Sequence, residues 1–271
     1  MQVSRSGYYK WTRRKPSQQE KRRKKLEQRI RHHFDGFDQL YGSLKITYKL
    51  RDEGFTVSTK TVARLMKKMG LRSRTVKKYK ATTNSKHNQP VFANVLNRQF
   101  QTVEAPNRVW VSDITYVATG QGWVYLASLM DLYSRKIVGW AMDSRMTKEL
   151  VLEAFDMACR RQQPPPGLIH HSDRGSQYAS NEYRERLAEH QMVGSMSRKG
   201  NCYDNACIES FHSIIKKELV YLRKFATRQQ AYDAINSYIE LKYNRIRIHS
   251  AIRYLTPHLC EKRYYEQHQV G

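Results

Sequence analysis

The sequence predicts an α/β domain built on a mixed five-stranded sheet and preceded by a basic all-α region. Three observations predict it. Residues 1–100 hold 26 Lys and Arg against 6 Asp and Glu, whereas residues 101–271 hold 23 against 18. Within the basic third, apolar residues recur at helical spacing. From Asn107 onward, β-branched and aromatic runs of strand length alternate with helical segments, the order of an α/β fold.

The elements follow in chain order. After Pro16, residues 17–34 carry Leu26, Ile30 and Phe34 every fourth position, a narrow apolar stripe on a helix otherwise covered by Lys21, Arg22, Arg23, Lys24 and Lys25. Residues 40–71 read as two compact helices. The first carries Leu44, Tyr48 and Leu50 and stops at Gly54. The second is capped by Ser58, holds Val62, Leu65, Met66 and Met69, and ends at Gly70. A second helix bearing Lys60, Arg64, Lys67 and Lys68 after a short Gly-containing turn is a helix-turn-helix pattern, and an ordinary helical hairpin gives the same pattern. The polar, basic stretch that follows reads as a linker. Residues 1–39 are thus a basic helical segment, 40–72 the helix-turn-helix-like DNA-binding domain, 73–100 a basic linker and 101–265 the α/β core with its C-terminal helices.

In the core, residues 109–117, 123–132 and 136–142 read as strands with tight connections, and Thr147 caps a helix carrying Leu150, Val151, Ala154 and Ala158 that Pro164-Pro165-Pro166 ends. A short strand at 167–171, a helix at 182–190, a strand at 192–196 and a long final set of helices complete the chain. That order is compatible with a ribonuclease-H-like core.

Composition narrows the function. With 271 residues and 39% hydrophobic content the chain can bury a sizeable core. No apolar run approaches the roughly 20 residues that span a bilayer, and Met1-Gln2-Val3-Ser4-Arg5 lacks a secretory stretch, so a soluble intracellular protein is expected. The four cysteines form no C-x-x-C, which argues for reduced structural thiols rather than zinc or redox chemistry. A net charge of +25 suits a polyanion. Charge alone does not separate nucleic acid from an anionic membrane surface.

The acids point to chemistry. Phosphoryl transfer on DNA uses two divalent cations held by carboxylates from separate elements. Asp113 lies within the first strand and Asp173 just past the fourth. If those strands are neighbours, the two side chains meet. Glu209 lies on the helix that begins near Asp204-Asn205, and Lys216, seven residues on, shares its face. The run Ser197-Arg198-Lys199-Gly200-Asn201 makes a basic loop suited to clamping a strand. A chain with 24 acids contains many such triples, however, and acids at strand ends are usually solvated. His170 and His171 read as packing residues rather than ligands of a hard metal. The 243–249 stretch offers Arg245 and Arg247 to DNA, or is a solvated helix end.

The motifs around the acids are more specific. Trp110-Val111-Ser112-Asp113-Ile114-Thr115-Tyr116, His170-His171-Ser172-Asp173-Arg174-Gly175-Ser176-Gln177-Tyr178, and Ser197 through Ala206 continuing to Glu209-Ser210-Phe211 resemble bacterial insertion-sequence transposases with a retroviral-integrase-type core. These are often the product of the element's second reading frame. Ser6-Gly7-Tyr8-Tyr9, Tyr41-Gly42-Ser43 and Tyr243-Asn244-Arg245 extend the resemblance over nearly the whole chain. The resemblance implies a D,D,E site of Asp113, Asp173 and Glu209 binding two Mg²⁺ or Mn²⁺ ions, with 35 residues between the last two acids and a basic residue, Lys216, seven beyond the Glu. It implies cleavage and strand transfer at the element's terminal inverted repeats and in target DNA, with Lys216, Arg198, Lys199, Lys60, Arg64, Lys67 and Lys68 as candidate DNA contacts. A homo-oligomer on DNA, the upstream-frame protein as a further partner, no membrane, and a cytoplasmic, nucleoid-associated location go with it. The family usually carries more sequence before Ser4-Arg5-Ser6-Gly7-Tyr8-Tyr9, so a truncated chain or a natural fusion is expected. His32 and His33 have no nearby cysteine pair, so no zinc is expected.

Three rival functions frame the expectation. Another ribonuclease-H-like nuclease accounts for the acids but not for the basic helical region. A non-catalytic DNA-binding regulator accounts for the charge and leaves the acids vestigial. A tyrosine recombinase would use one of the eighteen tyrosines, but the chain shows no Arg/His/Arg constellation leading to a C-terminal tyrosine.

Overall fold

The computed structural model describes residues 4–74, 91–100, 102–198 and 202–268, and the chain divides into two compact units, Met1–Thr75 and Val76–Gly271.

The first unit is all helical: α1 (Arg5–Thr12), α2 (Gln18–Gly36), α3 (Ser43–Asp52) and α4 (Thr59–Lys68). Ser4 caps α1 by accepting from the Gly7 amide, and α1 buries none of its residues. Ser17 and Glu20 close a reciprocal capping box at the start of α2. Leu26, Ile30 and Phe34 form the buried stripe that their spacing predicts. α3 buries Ile46, Thr47 and Leu50, and α4 buries Val62, Leu65 and Met66; α2, α3 and α4 pack on one another. Leu44, read as part of the apolar face of the first helix, is exposed instead. Ile46, Thr47 and Leu50 already complete a three-four spacing, and Leu44 lies two residues, a little over half a turn, from Ile46. Ser58 caps α4 through the Thr61 amide at 3.2 Å. Gly54 and Gly70 follow α3 and α4 with φ of +84° and +70°, a left-handed turn that glycine adopts without strain.

The second unit is a five-stranded sheet in the order β3-β2-β1-β4-β5. β1 (Val109–Thr119), β2 (Gly122–Asp131) and β3 (Ile137–Asp143) form an antiparallel meander, while β4 (Ile169–Ser172) and β5 (Val193–Met196) add in parallel on the other side of β1. Parallel neighbours need crossovers, which α5 (Lys148–Gln162) and α6 (Asn181–Glu189) supply. These two helices cover one face of the sheet, with Phe155, Ala158 and Tyr183 against Trp110, Leu129 and Val138. α5 comes so near β3 that a Cβ on Gly139 would stand 2.2 Å from the Ala154 carbonyl oxygen. α7 (Ala206–Glu218) and α8 (Arg228–Ser237) cover the other face, with Ile208, Phe211, Ile215 and Ile235 against Val109, Val111 and Leu126. A π-helical turn, Tyr238–Tyr243, extends α8, and α9 (Pro257–His268) closes the described chain.

Of the basic linker expected over 73–100, residues 75–90 lie outside the described residues. Residues 91–100 are a packed part of the core unit rather than a linker. Leu96 is buried with the β1 face, and Phe92 lies where a Cβ on Gly194 would come within 2.6 Å of its ring. The Ser195 hydroxyl accepts from the amides of Val95 and Leu96 at 3.0 and 3.2 Å. Two apolar anchors in a short stretch, without periodicity, are enough to dock it. Among the described residues, no helix is long and apolar enough to cross a membrane.

Candidate active site

The register of β1 and β4 brings two acids together. Their parallel pairing runs from Val109↔Ile169 to Ser112↔Ser172. Asp113 and Asp173 are the next residue on each chain, so they emerge side by side at the carboxyl end of the paired strands, at about the 4.8 Å spacing of neighbouring strands. In open α/β sheets that end is where sites form. Asp173 is set by a tight turn: its Oδ1 accepts the Gly175 amide at 2.9 Å. A Cβ at Gly175 would stand 3.0 Å from that oxygen and 3.1 Å from Gln177 Oε1.

The third acid comes from α7. Asn205, buried at the helix N-terminus, donates from Nδ2 to the Ser112 carbonyl at 2.9 Å and so fixes the helix beside Asp113. Asp204, also buried, gathers Asn94 at 2.9 Å, Arg98 at 2.8 Å and the Arg198 guanidinium at 2.8 and 2.9 Å. Hydrogen bonds from Arg198 hold its carboxyl far below the ordinary aspartate range against the opposing effect of burial. One turn into α7, the Glu209 carboxyl is raised above its ordinary value, first by partial loss of water and then by the Asp113 charge. The next turn places His212 with Nδ1 3.3 Å from Asp113 Oδ2 and Nε2 2.7 Å from the buried Ser128 hydroxyl. Ser128 is the β2 residue directly opposite Asp113. Lys216 Nζ lies 4.6 Å from the centre of the Tyr116 ring. Enclosure lowers its pKa, opposed by Tyr116 and Asp113.

Tyr178 completes the surroundings. It is buried, and its hydroxyl leans toward Ser112 without a well-formed hydrogen bond. Burial raises its pKa well above the ordinary range, reinforced by Tyr183 and then by Asp113 and Asp173. His170 and His171 are not at the acid cluster's open side. His170 pairs with the Tyr183 hydroxyl at 3.0 Å, and His171 bridges the Ser195 and Ser197 hydroxyls at 2.9 and 3.1 Å. Burial pushes their pKa values down to about 3 and about 4, so both are neutral packing groups.

Hard divalent cations take oxygen ligands, and the donors here are carboxylates from three elements, two adjacent and the third sensing the charge of the first. That donor chemistry fits such an ion. Among the described residues, no three His, Cys, Asp or Glu side chains are drawn tightly round one point.

The remaining candidates divide. On α4, Lys60, Arg64 and Lys67 recur at three and four residues on an exposed face. Lys68, four residues beyond Arg64 and also exposed, is partnered instead, pairing with Glu27 at 3.3 Å. Arg198 is engaged by Asp204, and Lys199 lies outside the described residues. Arg247, one of two arginines offered to DNA, is buried in a bidentate pair with Glu218 of α7 at 2.9 to 3.1 Å; Arg245 is exposed. Sequence reasoning missed His212, Asn205 and Asp204. For His212 the signal was present, since it lies three residues beyond Glu209 on the same helical face. For Asp204 it was not, because its partners come from 94, 98 and 198.

Three family models match the chain: an HTH-like domain over residues 21–79, an integrase core domain over 103–202, and a second integrase core domain model over 190–257. The "Insertion element IS600 uncharacterized 31 kDa protein" of Shigella sonnei is 46% identical over 266 residues, covering 97% of each chain. The "Transposase InsF for insertion sequence IS3A" of Escherichia coli strain K12 is 38% identical over 271 residues, covering 97% of this chain and 92% of that one. Among solved structures, the HTLV-2 integrase catalytic core domain in complex with magnesium matches with a TM-score of 0.46 and 20% identity, over 58% of this chain and 98% of that one.

Proposed function

Because the chain belongs to the family of insertion-sequence transposases with an integrase core domain, we propose that Asp113, Asp173 and Glu209 are its catalytic carboxylates. It is a DNA transposase of the D,D,E polynucleotidyl-transferase kind, and it binds DNA. The observation that carries the assignment is the β1–β4 register, which brings Asp113 and Asp173 out as neighbours, with Glu209 on α7 near enough to Asp113 to feel its charge.

Two divalent cations, Mg²⁺ or Mn²⁺, would be held by these three acids and would supply activation of the attacking oxygen and stabilisation of the leaving one. The side chains do the rest. His212 keeps the Asp113 carboxylate turned toward the site. Lys216 orients the DNA strand at the edge of β1. Among the described residues Tyr178 does lie at the acids, but it is buried and held protonated, so it offers no covalent nucleophile. Water therefore opens the strand at the element end, and the freed 3′-hydroxyl attacks next, joining that end to DNA.

On α4, the exposed Lys60, Arg64 and Lys67 contact the terminal repeats through phosphates, with Lys68 and Arg198 weaker because each already holds a carboxylate. A homo-oligomer would bring two ends and a target together in the cytoplasm, on nucleoid DNA, with the upstream-frame protein as a further partner.

The test is strand cleavage of labelled DNA carrying the element's own ends, with Mg²⁺, and joining of a precleaved end. Wild type should nick one strand and join. Asp113→Asn, Asp173→Asn and Glu209→Gln should do neither. Joining of the precleaved end by Glu209→Gln at the wild-type rate would end the single-site, two-step reading.

A further inference from the structure

β4 leaves β1 at Ser112, and β1 is next met on that side by Phe225, which bridges Thr119 and accepts the Gly120 amide. Between Asp113 and Ala118 this edge of β1 carries no strand among the described residues. Tyr116 on this stretch and Trp123 on neighbouring β2 form an aromatic pair there, with a cation beside it. Tyr116 has the Lys216 ammonium over its ring at 4.6 Å. Trp123, at the start of β2, meets Tyr116 edge to face at 5.0 Å and 90°. Half of Trp123 is exposed, at 50%, an unusual position for a large indole on a basic protein.

We propose that the Trp123–Tyr116 ledge is a stacking seat for unpaired bases of the DNA strand that passes the acid site, with Lys216 taking a flanking phosphate. The inference rests on the transposase reading above and adds a strand-state preference to it. Aromatic faces flanked by cations are the device by which proteins hold single-stranded nucleic acid without reading sequence, because every base has a π face. Paired bases offer no such face, so the seat selects frayed or unpaired DNA. The placement fits the chemistry. Tyr116 is three residues along β1 from Asp113, about 10 Å, so its side chain leaves the opposite face of the sheet, and the Lys216 ammonium, which reaches from α7 on the Asp113 face to the Tyr116 ring, marks the β1 edge as the way round. A strand with its phosphate at the acids would pass round that edge and place bases a few nucleotides away on the ledge. Charge also argues against a protein occupant, since exposed Arg223 and Lys224 make this corner of the molecule strongly basic.

The experiment uses the whole chain in chelator. Its probes are a blunt duplex of arbitrary sequence and the same duplex with a short oligothymidylate tail carrying 2-aminopurine. The tail should tighten binding and quench the 2-aminopurine. Trp123→Ala should lose at least about fivefold of the tail's gain and the quenching, with blunt-duplex affinity unchanged. Trp123→Phe should retain most of both, which rules out general misfolding. An equal tail preference in wild type and Trp123→Ala overturns the proposal, as does a wild type with no tail preference. So does a Trp123→Ala variant that changes only the molecular mass in solution, which would make the ledge a contact between copies. Cleavage of end-bearing DNA in Mg²⁺ by wild type and Asp113→Asn is measured in parallel. Cleavage that depends on Asp113 alongside a tail effect indifferent to Trp123 sinks the ledge alone; the reverse sinks the catalytic assignment alone.

Discussion

His212 Nδ1 lies 3.3 Å from Asp113 Oδ2, and this contact ties the helix that carries Glu209 to the strand that carries Asp113. The other ring nitrogen is 2.7 Å from Ser128 Oγ. If the serine donates to Nε2, the ring proton lies on Nδ1, facing the carboxylate. A carboxylate held in this way presents its second oxygen to a cation in a fixed direction.

His212→Ala should therefore weaken metal affinity by about 10–100-fold, the usual loss when a partner of a metal-binding group is removed. His212→Asn, whose amide nitrogen can occupy the place of Nδ1, should recover most of it. Direct titration of the protein with Mn²⁺ reads this without reference to turnover. If Ala and Asn variants bind equally well, the contact positions nothing.

The raised Glu209 pKa predicts a pH dependence of the ion-free fold. A carboxyl whose folded pKa exceeds its unfolded value binds more protons when folded. Its favourable contribution is present below the unfolded pKa and is lost as pH rises through the folded one. At neutral pH in chelator, Glu209→Gln should thus melt a few degrees above wild type, and the gap should close below the ordinary glutamate range. Saturating Mn²⁺ should reverse the order, since only wild type gains from the ion. A gap of the same size at every pH would point to packing instead of charge.

How far the site could be read beforehand follows from where its parts lie. Asp113 and Asp173 were legible because a strand and the turn that follows one are local, and the parallel pairing of β1 with β4 only had to be supposed. The helices over 40–71 were legible for the same reason, with Ser58 and Gly54 at their ends. What escaped is non-local. Residues 91–100 look polar, and only the fold shows Phe92 and Leu96 seated on the sheet. Arg247 sits in a basic stretch that reads as solvent-facing, and its partner Glu218 is 29 residues away.

That last pair supports a prediction of its own. Arg247 and Glu218 are both almost fully buried, with 8% and 6% of their side chains exposed, and the Tyr238 hydroxyl donates to the same carboxylate at 2.7 Å. Removing one partner of a buried pair leaves an uncompensated charge, so Arg247→Met should destabilise the core unit by about 3–5 kcal/mol. Adding Glu218→Gln should restore a good part of this. Urea denaturation of the single and double variants measures it. A stable Arg247→Met protein that simply binds DNA less well would return Arg247 to the DNA-contact role first considered for it.

The α4 face offers the last prediction. Lys60, Arg64 and Lys67 are exposed and share one side of the helix, whereas Lys68, beside them, already holds the Glu27 carboxylate. If this face meets DNA, each of the three neutralises about one phosphate and releases its condensed counterions. The slope of log affinity against log salt then falls by about 0.9 for each residue lost. Replacing Lys60, Arg64 and Lys67 together by alanine should flatten that slope by somewhat less than three such steps. Lys68→Ala should leave the slope nearly unchanged, although it breaks an ion pair and so costs about 0–1 kcal/mol of stability. The contrast matters because both variants remove positive charge from the same short helix. An effect of net charge alone would move the slope in proportion to the charges removed, with Lys68 counting as much as any other. Filter binding of end-bearing DNA across a salt series distinguishes the two. Equal slopes per charge for Lys68 and the other three would mean that the α4 face attracts DNA at a distance without docking on it.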